Sequence, residues 1–245
     1  MNPSHTTALI TGAGRRIGAA CAKRVAQHGT AVVIHYGTSH SEAKELQEEI
    51  TNQGGEAHIL QADLTDPEQT MALIPQAMAL LNSRPIDILI NNAAIFLPGS
   101  IQSTPIDLWN RHLAINLTAP FLLMQAFVLA LPPQRTGKII QIIDQYGHRP
   151  RPGYAAYSAA KSALWTLTRQ AALELAPRIQ VNAIGPGPIL PASGDSMKKF
   201  AQIAAATPSQ RAGTLDDITA ALFFLLHNDF ITGEMIRVDG GEHLR

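Results

Sequence analysis

Cysteine and charge are both scarce in this chain of 245 residues. Cys21 is the single cysteine, so an internal disulfide is impossible and a zinc site built from several thiolates is excluded. Charged residues make up 16% of the chain, which argues against disorder because about 25% is usual. The 19 basic and 19 acidic residues cancel, so neither nucleic acid nor an anionic membrane is an expected partner.

Long apolar segments are also missing from the sequence. The most apolar stretch, residues 121–131, is much shorter than the ~20 residues that cross a bilayer. Residues 1–7 are polar and lack the charged start and apolar centre of a signal peptide. We therefore expect a soluble, cytoplasmic globular protein.

Seven short runs rich in valine and isoleucine alternate with longer helical patterns. The runs are continuously apolar, which is typical of strands buried on both faces of a parallel sheet. They lie at residues 8–10, 31–35, 57–60, 86–90, 138–143, 179–184 and 235–238. The alternation predicts one α/β domain over residues 1–245, a doubly wound parallel sheet with helices on both faces.

The segments between these runs have helical periodicity. They predict helices at residues 16–28, 41–53, 67–82, 105–130, 154–176 and 215–226. Asp66-Pro67 and Thr104-Pro105 each offer an N-cap followed by proline at the first helical position. Residues 185–196 are rich in glycine and proline and have no clear period. Because such loops in compact domains are usually functional, we expect a substrate lid over residues 185–206.

A glycine-rich segment follows the first predicted strand and opens the first predicted helix. It reads Thr11-Gly12-Ala13-Gly14-Arg15-Arg16-Ile17-Gly18, with Arg16 where the G-x-G-x-x-G pattern has its middle glycine. Glycines at such a turn let backbone N–H groups approach a pyrophosphate at the helix N-terminus. The segment predicts a dinucleotide site, and a plain strand-to-helix turn is the alternative.

The end of the second predicted strand indicates which dinucleotide binds. An acidic side chain there would bind the ribose 2′-hydroxyl of NAD and repel a 2′-phosphate. The sequence instead reads His35-Tyr36-Gly37-Thr38-Ser39, and Arg15 lies in the adjacent turn. Hydroxyls of Thr38 and Ser39 can bind phosphate oxygens, which favours NADP(H), although they can also serve as helix caps.

Asp63 follows the third predicted strand in Gln61-Ala62-Asp63-Leu64. Its carboxylate can accept a hydrogen bond from the adenine amine of such a cofactor. It can equally cap a turn, and the residues alone leave both roles open.

Tyr157 and Lys161 lie four residues apart at the start of a strongly helical stretch and therefore share one helix face. A phenol has an ordinary pKa of about 10, too high for ready proton exchange at neutral pH. A neighbouring ammonium, together with the positive ring of an oxidised nicotinamide, would lower that pKa. Alone, the spacing is more typical of a solvated helix face, so its meaning depends on the other polar motifs.

Those motifs follow the later strands in a fixed order. They are Asn91-Asn92-Ala93, Asn116, Asp144, Tyr157 with Lys161, Gly185-Pro186-Gly187 and Asp239-Gly240-Gly241. With this set the chain resembles the short-chain dehydrogenase/reductase family from end to end. The resemblance implies a single Rossmann-type domain, with Tyr157 as general acid–base, Lys161 lowering its pKa and holding the nicotinamide ribose, and Asn116 supporting a proton-relay water. The implied cofactor residues are Gly12, Arg15, Arg16, Ile17, Gly18, Tyr36, Thr38, Ser39, Asp63, Leu64, Asn92, Ala93, Lys161, Pro186, Gly187 and Ile189.

The chain departs from that family at Asp144. The family usually has serine thirteen residues before the catalytic tyrosine, where its hydroxyl polarises a substrate carbonyl. An ionised carboxylate cannot donate to a carbonyl oxygen and would repel a developing alkoxide. It can accept N–H groups of a heterocycle or, when protonated, pass a proton to a ring nitrogen, which favours reduction of a C=N bond. The alternative is a one-residue shift that makes Asp144 a turn residue.

The departures are similar to the pteridine reductase branch of the family, which includes dihydromonapterin reductases. The shared features are Arg16, His35-Tyr36, Asp144, Gly185-Pro186-Gly187 and the ending Asp239-Gly240-Gly241-Glu242-His243-Leu244-Arg245. By this resemblance Phe96 would stack a pterin against the nicotinamide, with a core position as the alternative. Arg16 would contact the cofactor phosphate and the pterin edge. Ala94 stands where the branch often has serine, and Arg245 could reach a neighbouring subunit's site.

This resemblance implies NADPH-dependent reduction of a dihydropteridine-type substrate to its tetrahydro form, without a metal. The pro-S hydride would reach a ring carbon and a proton the adjacent nitrogen, with substrate contacts from Arg16, Phe96, Asp144 and Tyr157. Helices 105–130 and 154–176 would pair subunits in a homotetramer. The alternatives are a reductase of 3-oxoacyl thioesters or small ketones, and a non-catalytic NADP-binding regulator. The intact Tyr157, Lys161 and Asn116 argue against the regulator.

Overall fold

A computed structural model describes residues 6–147, 149–192 and 194–244. Seven parallel strands form one sheet in the order β3-β2-β1-β4-β5-β6-β7. The strands are β1 (Thr7–Ile10), β2 (Ala31–Tyr36), β3 (Ala57–Gln61), β4 (Ile88–Asn91), β5 (Gly137–Ile142), β6 (Ile179–Pro186) and β7 (Met235–Val238). The strand order reverses between β1 and β4, which is the position where doubly wound sheets bind ligands. The predicted Rossmann-type fold is confirmed.

Helices cover both faces of the sheet. They are α1 (Arg16–Ala26), α2 (His40–Asn52), α3 (Pro67–Leu80), α4 (Ile106–Leu113), α5 (Ala119–Ala130), α6 (Ala155–Leu175), α7 (Met197–Ala206) and α8 (Leu215–His227). Ala8 and Ile10 of β1 pack into one hydrophobic cluster and Leu9 into the other, because successive strand side chains point to opposite faces. This two-sided burial explains why the strand sequences are continuously apolar.

The two predicted proline caps have different outcomes. The Asp66 side chain accepts hydrogen bonds from the backbone N–H groups of Glu68 and Gln69, so this cap is confirmed. The prediction for Thr104 is wrong, because its hydroxyl donates to the Ser100 carbonyl at 2.6 Å. Pro105 stays extended, and α4 begins one residue later, at Ile106.

The predicted helix 105–130 is a continuous helical stretch with a π-helical turn, Ala114–Thr118, between α4 and α5. Its 25 residues from Ile106 to Ala130, with a hydropathy of 1.8, are long and apolar enough to cross a membrane by length and composition alone. The expectation that no segment reaches this length is therefore wrong, since it counted residues 121–131 without the helix before them. In the fold the stretch packs against α3 and α6.

The expected lid contains a helix that the sequence analysis did not identify. The described residues between the end of β6 and Ser196 form neither helix nor strand, as expected. Helix α7 then begins, and the Ser196 side chain caps it by accepting a hydrogen bond from the Lys199 N–H at 3.2 Å. A serine cap before an alanine-rich stretch was the signal that could have identified it.

Candidate active site

The glycine-rich turn between β1 and α1 is packed too tightly for larger residues. Gly12 has φ +59°, and a Cβ there would lie 2.8 Å from the Cα of Ala93. A Cβ on Gly18 would lie 2.5 Å from the Asn92 Nδ2. Within the described chain, α1 begins at Arg16 without a side-chain cap or a first-turn acid, so its N–H groups are available to an anion. This cradle fits the pyrophosphate of a dinucleotide.

Buried polar groups brace the turn. The Thr11 hydroxyl accepts hydrogen bonds from the N–H groups of Asn92 and Ala93, each at 3.0 Å. The Asn92 amide donates to the carbonyls of Thr11 and Gly12, each at 2.9 Å. His35 accepts from the Gly12 N–H at 3.1 Å, and burial lowers its pKa to about 4, so the imidazole is neutral. The sequence analysis assigned no role to Thr11, and it noted His35 only as part of a resemblance.

Two of the residues predicted to bind the 2′-phosphate, Arg15 and Ser39, lie at this turn. Tyr36 ends β2 and its hydroxyl contacts the His40 Nδ1 at 2.6 Å. A Cβ on Gly14 would lie 2.7 Å from the Ser39 Oγ, which places the turn against the start of α2. The Ser39 side chain caps no N–H group among the described residues, so the alternative role of helix cap is not realised.

Asp63 and Leu64 lie after β3. The Asp63 Oδ1 accepts hydrogen bonds from both the N–H and the hydroxyl of Thr65 at 2.8 Å, so the turn-capping role is present. The other carboxylate oxygen, Oδ2, has no hydrogen bond within the part of the chain described here. Its predicted contact with the adenine amine stays a prediction. The Leu64 side chain packs in the hydrophobic core, and its predicted cofactor contact stays a prediction.

The residues predicted to contact the nicotinamide lie at and after the end of β6. The Gly187 N–H donates to the Val238 carbonyl at 3.0 Å, and a Cβ on Gly187 would lie 2.5 Å from the Cα of Asp239. Pro186 is the last residue of β6, and Ile189 is buried. These positions place the predicted contacts at the carboxyl edge of the sheet, on the same edge as the glycine turn.

Tyr157, Asp144 and Lys161 meet at this edge. The Tyr157 hydroxyl donates to the Asp144 Oδ2 at 3.0 Å. The Lys161 Nζ donates to the Ile142 carbonyl at 2.7 Å and lies 5.9 Å from the Tyr157 ring centroid. Asp144 has φ +87°, and its Oδ1 accepts from the Tyr146 N–H at 3.1 Å. Asp144 therefore begins a tight turn and also faces the tyrosine.

Burial and mutual charge shift the pKa values of all three side chains. Burial, followed by the Asp144 charge, raises the pKa of Tyr157 well above its usual value. Burial also raises the pKa of Asp144 to about 6 and lowers that of Lys161 to about 8. Tyr157 is thus a protonated phenol that can donate. The lowering of the tyrosine pKa by Lys161 together with the positive ring of an oxidised nicotinamide stays a prediction.

Asn116 lies in the π-helical turn and holds the loop that follows β4. Its Oδ1 accepts from the Ile95 N–H, and its Nδ2 donates to the Ile95 carbonyl, each at 3.0 Å. The Nδ2 also lies 3.2 Å from the buried His112 Nδ1. This clamp on residue 95 positions the next residue, Phe96, a role that the sequence analysis missed.

Phe96 belongs to a group of four aromatic rings. It stacks on Tyr154 with ring centroids 4.5 Å apart and planes 6° from parallel. It meets Tyr157 edge-on at 4.7 Å and Tyr146 at 5.6 Å. Phe96 is half-buried and belongs to none of the hydrophobic clusters formed by the described residues, so it is not the core residue of the alternative. Flat aromatic walls beside an acid suit a flat heterocycle.

Arg16 connects the glycine turn to the expected lid. It has φ +58°, and its guanidinium donates to the Pro191 carbonyl at 2.7 Å. Burial and the neighbouring Arg15 lower its pKa. Its predicted contacts to cofactor and pterin stay predictions, Ala94 is exposed, and Arg245 lies outside the described residues. No three acidic, histidine or cysteine side chains in the described ranges are placed to hold a metal ion.

Comparisons with known proteins agree with this geometry. A family model described as enoyl-(acyl carrier protein) reductase matches residues 12–243. An uncharacterised oxidoreductase of Mycobacterium tuberculosis is 40% identical, covering 96% of this chain and 90% of the relative. The 3-oxoacyl-[acyl-carrier-protein] reductase FabG of Staphylococcus aureus is 33% identical, covering 97% and 98%.

Among solved structures, the FolM alternative dihydrofolate reductase 1 of Brucella suis, in complex with NADP, superposes with a TM-score of 0.95. It is 38% identical, and the match covers 100% of this chain and 97% of the other. Matches of this length and identity, together with the glycine cradle and the Tyr157–Lys161 pair, show that the chain belongs to the short-chain dehydrogenase/reductase family.

Proposed function

We propose that the protein is an NADPH-dependent reductase of a dihydropteridine-type substrate, of the dihydrobiopterin, dihydromonapterin or dihydrofolate class. The observation that carries this proposal is the 3.0 Å hydrogen bond between the Tyr157 hydroxyl and Asp144. A carboxylate at this position would repel the alkoxide that forms when a ketone is reduced, but it can bind the N–H groups of a heterocycle. The 38% identity to an alternative dihydrofolate reductase supports the same substrate class.

The proton for the ring nitrogen comes from the Tyr157–Asp144 pair. Tyr157 is held in its protonated form, and Asp144, with a pKa of about 6, exchanges a proton near neutral pH. Lys161, fixed on the Ile142 carbonyl, provides the positive charge that stabilises the phenolate after transfer. NADPH, when bound, supplies a hydride for the adjacent ring carbon. Phe96 and its aromatic neighbours hold the ring flat and exclude water from it.

The cofactor is NADP(H) rather than NAD(H). No acidic residue stands at the end of β2, where one would repel a 2′-phosphate. The Ser39 hydroxyl and Arg15 lie by the turn where that phosphate would bind, and the first turn of α1 can accept the pyrophosphate. Thr38, exposed next to Ser39, offers a second hydroxyl.

A second candidate is reduction of 3-oxoacyl thioesters. It is favoured by the 33% identity to the staphylococcal 3-oxoacyl reductase over nearly the whole chain. Asp144 argues against it, because the carbonyl would meet a carboxylate where a hydroxyl donor is needed. The non-catalytic regulator is a weaker candidate, since Tyr157, Lys161 and Asp144 retain a reactive arrangement.

We propose a cytoplasmic homotetramer. Large apolar side chains stay exposed on α5 and α6: Phe121 is 44%, Leu129 77% and Leu173 79% exposed. Burying these faces between subunits would remove them from water and is consistent with the low charge content. Sedimentation equilibrium measures the assembly, and a monomer at micromolar concentration would contradict this part of the proposal.

The deciding experiment is NADPH oxidation by the purified protein with 7,8-dihydrobiopterin, 7,8-dihydrofolate and acetoacetyl thioesters as separate substrates. We expect turnover with the two pteridines and little with the thioester. Asp144→Ser should lose pteridine reduction and gain thioester reduction, since serine restores a donor for a carbonyl oxygen. Thioester reduction without pteridine reduction by the unaltered protein would favour the second candidate, and unchanged pteridine reduction by Asp144→Ser would refute the role of the carboxylate.

A further inference from the structure

An open cavity of about 500 Å³ lies between residues 149–152 and helix α7, outside the group formed by Tyr157, Asp144 and Lys161. Its volume is in the range of small-molecule sites. Its wall combines cationic, apolar and acidic side chains, of which the argument uses Arg149, Pro150, Arg151, Lys199, Ile203 and Glu242. None of the residues predicted to act in catalysis or to bind cofactor or substrate lines it, but Lys199 and Ile203 belong to the expected lid.

Tyr146 joins this cavity to the aromatic group of the candidate active site. The Tyr146 ring centroid lies 5.6 Å from that of Phe96, the residue expected to stack on the pterin. The Arg151 guanidinium lies 5.3 Å from the same Tyr146 ring and donates to its hydroxyl at 3.1 Å. A molecule whose ring lies on Phe96 could therefore extend past Tyr146 into the cavity.

The cavity has an excess of positive charge. Arg151 forms an ion pair with the buried Glu242 at 2.8 Å, and Lys199 forms one with Asp195 at 2.7 Å. Arg149 donates to the Glu242 backbone carbonyl at 3.2 Å and has no carboxylate partner among the described residues. One guanidinium is thus left for a ligand, and two further cations stand close to it. In a chain with zero net charge, this local excess indicates an anionic ligand.

Glu242 holds the two arginines at the same wall of the cavity. Arg149 donates to the Glu242 backbone carbonyl at 3.2 Å, and Arg151 donates to the Glu242 carboxylate at 2.8 Å. Both arginines line the cavity, and each precedes a proline, whose fixed φ limits the backbone freedom of the segment. Part of the cost of ordering this wall is therefore met before a ligand arrives.

We propose that this cavity binds the carboxylate-bearing tail of a folate-type substrate, with Arg149 and Lys199 as its specificity-determining cations. The inference rests on the proposed reduction of a dihydropteridine ring at Phe96. Pro150 and Ile203 provide apolar surface for the aromatic spacer of such a tail, and the cations bind its terminal carboxylates. A guanidinium suits this task because it can bind a carboxylate through two N–H groups.

The test compares 7,8-dihydrofolate with 7,8-dihydrobiopterin, which has the ring but no acidic tail. Arg149→Gln and Lys199→Gln are each expected to raise KM for dihydrofolate by roughly five- to tenfold, the effect of one charged contact at a partly exposed site. KM for dihydrobiopterin and kcat for both substrates should stay unchanged. High salt should raise KM for dihydrofolate with the unaltered protein and leave dihydrobiopterin unaffected.

Lys198→Gln is the matched control, because Lys198 is an exposed cation of the same helix and does not line the cavity. Arg149 is preferred over Arg151 for the main variant, since loss of Arg151 would leave the buried Glu242 without its partner. An Arg149→Gln variant that leaves the dihydrofolate KM unchanged, or raises both KM values equally, would overturn the proposal.

Failure of the proposed function can be recognised separately. If the unaltered protein reduces neither pteridine, that function fails, and titration of folate into the protein with NADP+ still measures the cavity. Equal folate affinity of Arg149→Gln and Lys198→Gln would then overturn the inference as well. A third outcome would also overturn the inference. If Arg149→Gln raises KM only for a thioester carried on an acidic protein, and not for dihydrofolate, then Arg149 contacts the carrier protein.

Discussion

Replacing Thr11 with valine tests how the cofactor turn is held. The two side chains have nearly the same shape, but valine lacks the hydroxyl that accepts the N–H groups of Asn92 and Ala93 at 3.0 Å. Thr11 is 2% exposed, so water cannot easily replace that acceptor. We expect lower stability and weaker NADPH binding, because both donors lie at the rim of the glycine cradle.

The expected loss of stability follows from the two N–H groups that lose their acceptor. Leaving one buried donor without a partner costs about 1–3 kcal/mol. Because both groups are only partly buried, the lower half of that range, about 1–2 kcal/mol, applies to each, and the extra buried methyl of valine recovers about 0.8 kcal/mol. The free energy of unfolding should therefore fall by about 1–3 kcal/mol, a decrease in Tm of roughly 2–12 °C for a chain of this size.

The assay is urea unfolding at a fixed protomer concentration, followed by circular dichroism, with NADPH binding measured by fluorescence. Thr11→Ser is the control, because it keeps the hydroxyl and loses only a methyl group, at about 1 kcal/mol. If the valine variant matches the unaltered protein in stability, or is no worse than the serine variant, then the hydroxyl does not support the turn and the reasoning is wrong.

The remaining predictions concern the reaction and the cradle. Tyr157→Phe should lower kcat by about 10²–10⁴ through loss of the proton donor, with NADPH affinity unchanged in a fluorescence titration; retained turnover would contradict its role. Ionised Asp144, which accepts the N–H groups of the ring and has a pKa of about 6, should make kcat/KM for dihydrobiopterin rise as pH rises through about 6, a slope that Asp144→Asn should abolish. Gly18→Ala should weaken NADPH binding more than tenfold (about 1.4 kcal/mol), because its Cβ would lie 2.5 Å from the Asn92 amide. Gly54→Ala is the control in the same titration: its φ of +84° strains the backbone, but its Cβ meets nothing within 4 Å, so it should lower stability and leave NADPH affinity unchanged.

Much of the fold could be predicted because its signals are local. The valine-rich runs gave the seven strands, since a strand covered on both faces must be apolar along its length. Asp66 was recognisable as a cap from its neighbour Pro67. Thr104 looked the same, but the loop carbonyl of Ser100 took its hydroxyl, and a contact of that kind is visible only in three dimensions.

The candidate site could be predicted in its residue types but not in the burial of its side chains. Spacing placed Tyr157 beside Lys161 and Asp144 before it, and the structure brings all three together. The pKa direction of Tyr157 depended on how completely the phenol is buried, which no spacing reveals. Tyr146 and the cavity at Arg149 depended on the path of the loop between β5 and α6, and loops of that kind carry little periodic signal.

The π-helical turn at Ala114–Thr118 rotates the side chains of α4 relative to those of α5 about the axis of the long helix. A π-helical turn amounts to one additional residue, and each residue advances an α-helix by about 100°. With the extra residue, α4 can direct His112 toward Asn116 and Tyr157 while α5 directs Phe127 into the opposite core. Deleting one residue there would restore a regular α-helix but would rotate α4 relative to α5. His112 and Phe127 could then no longer both keep their present contacts.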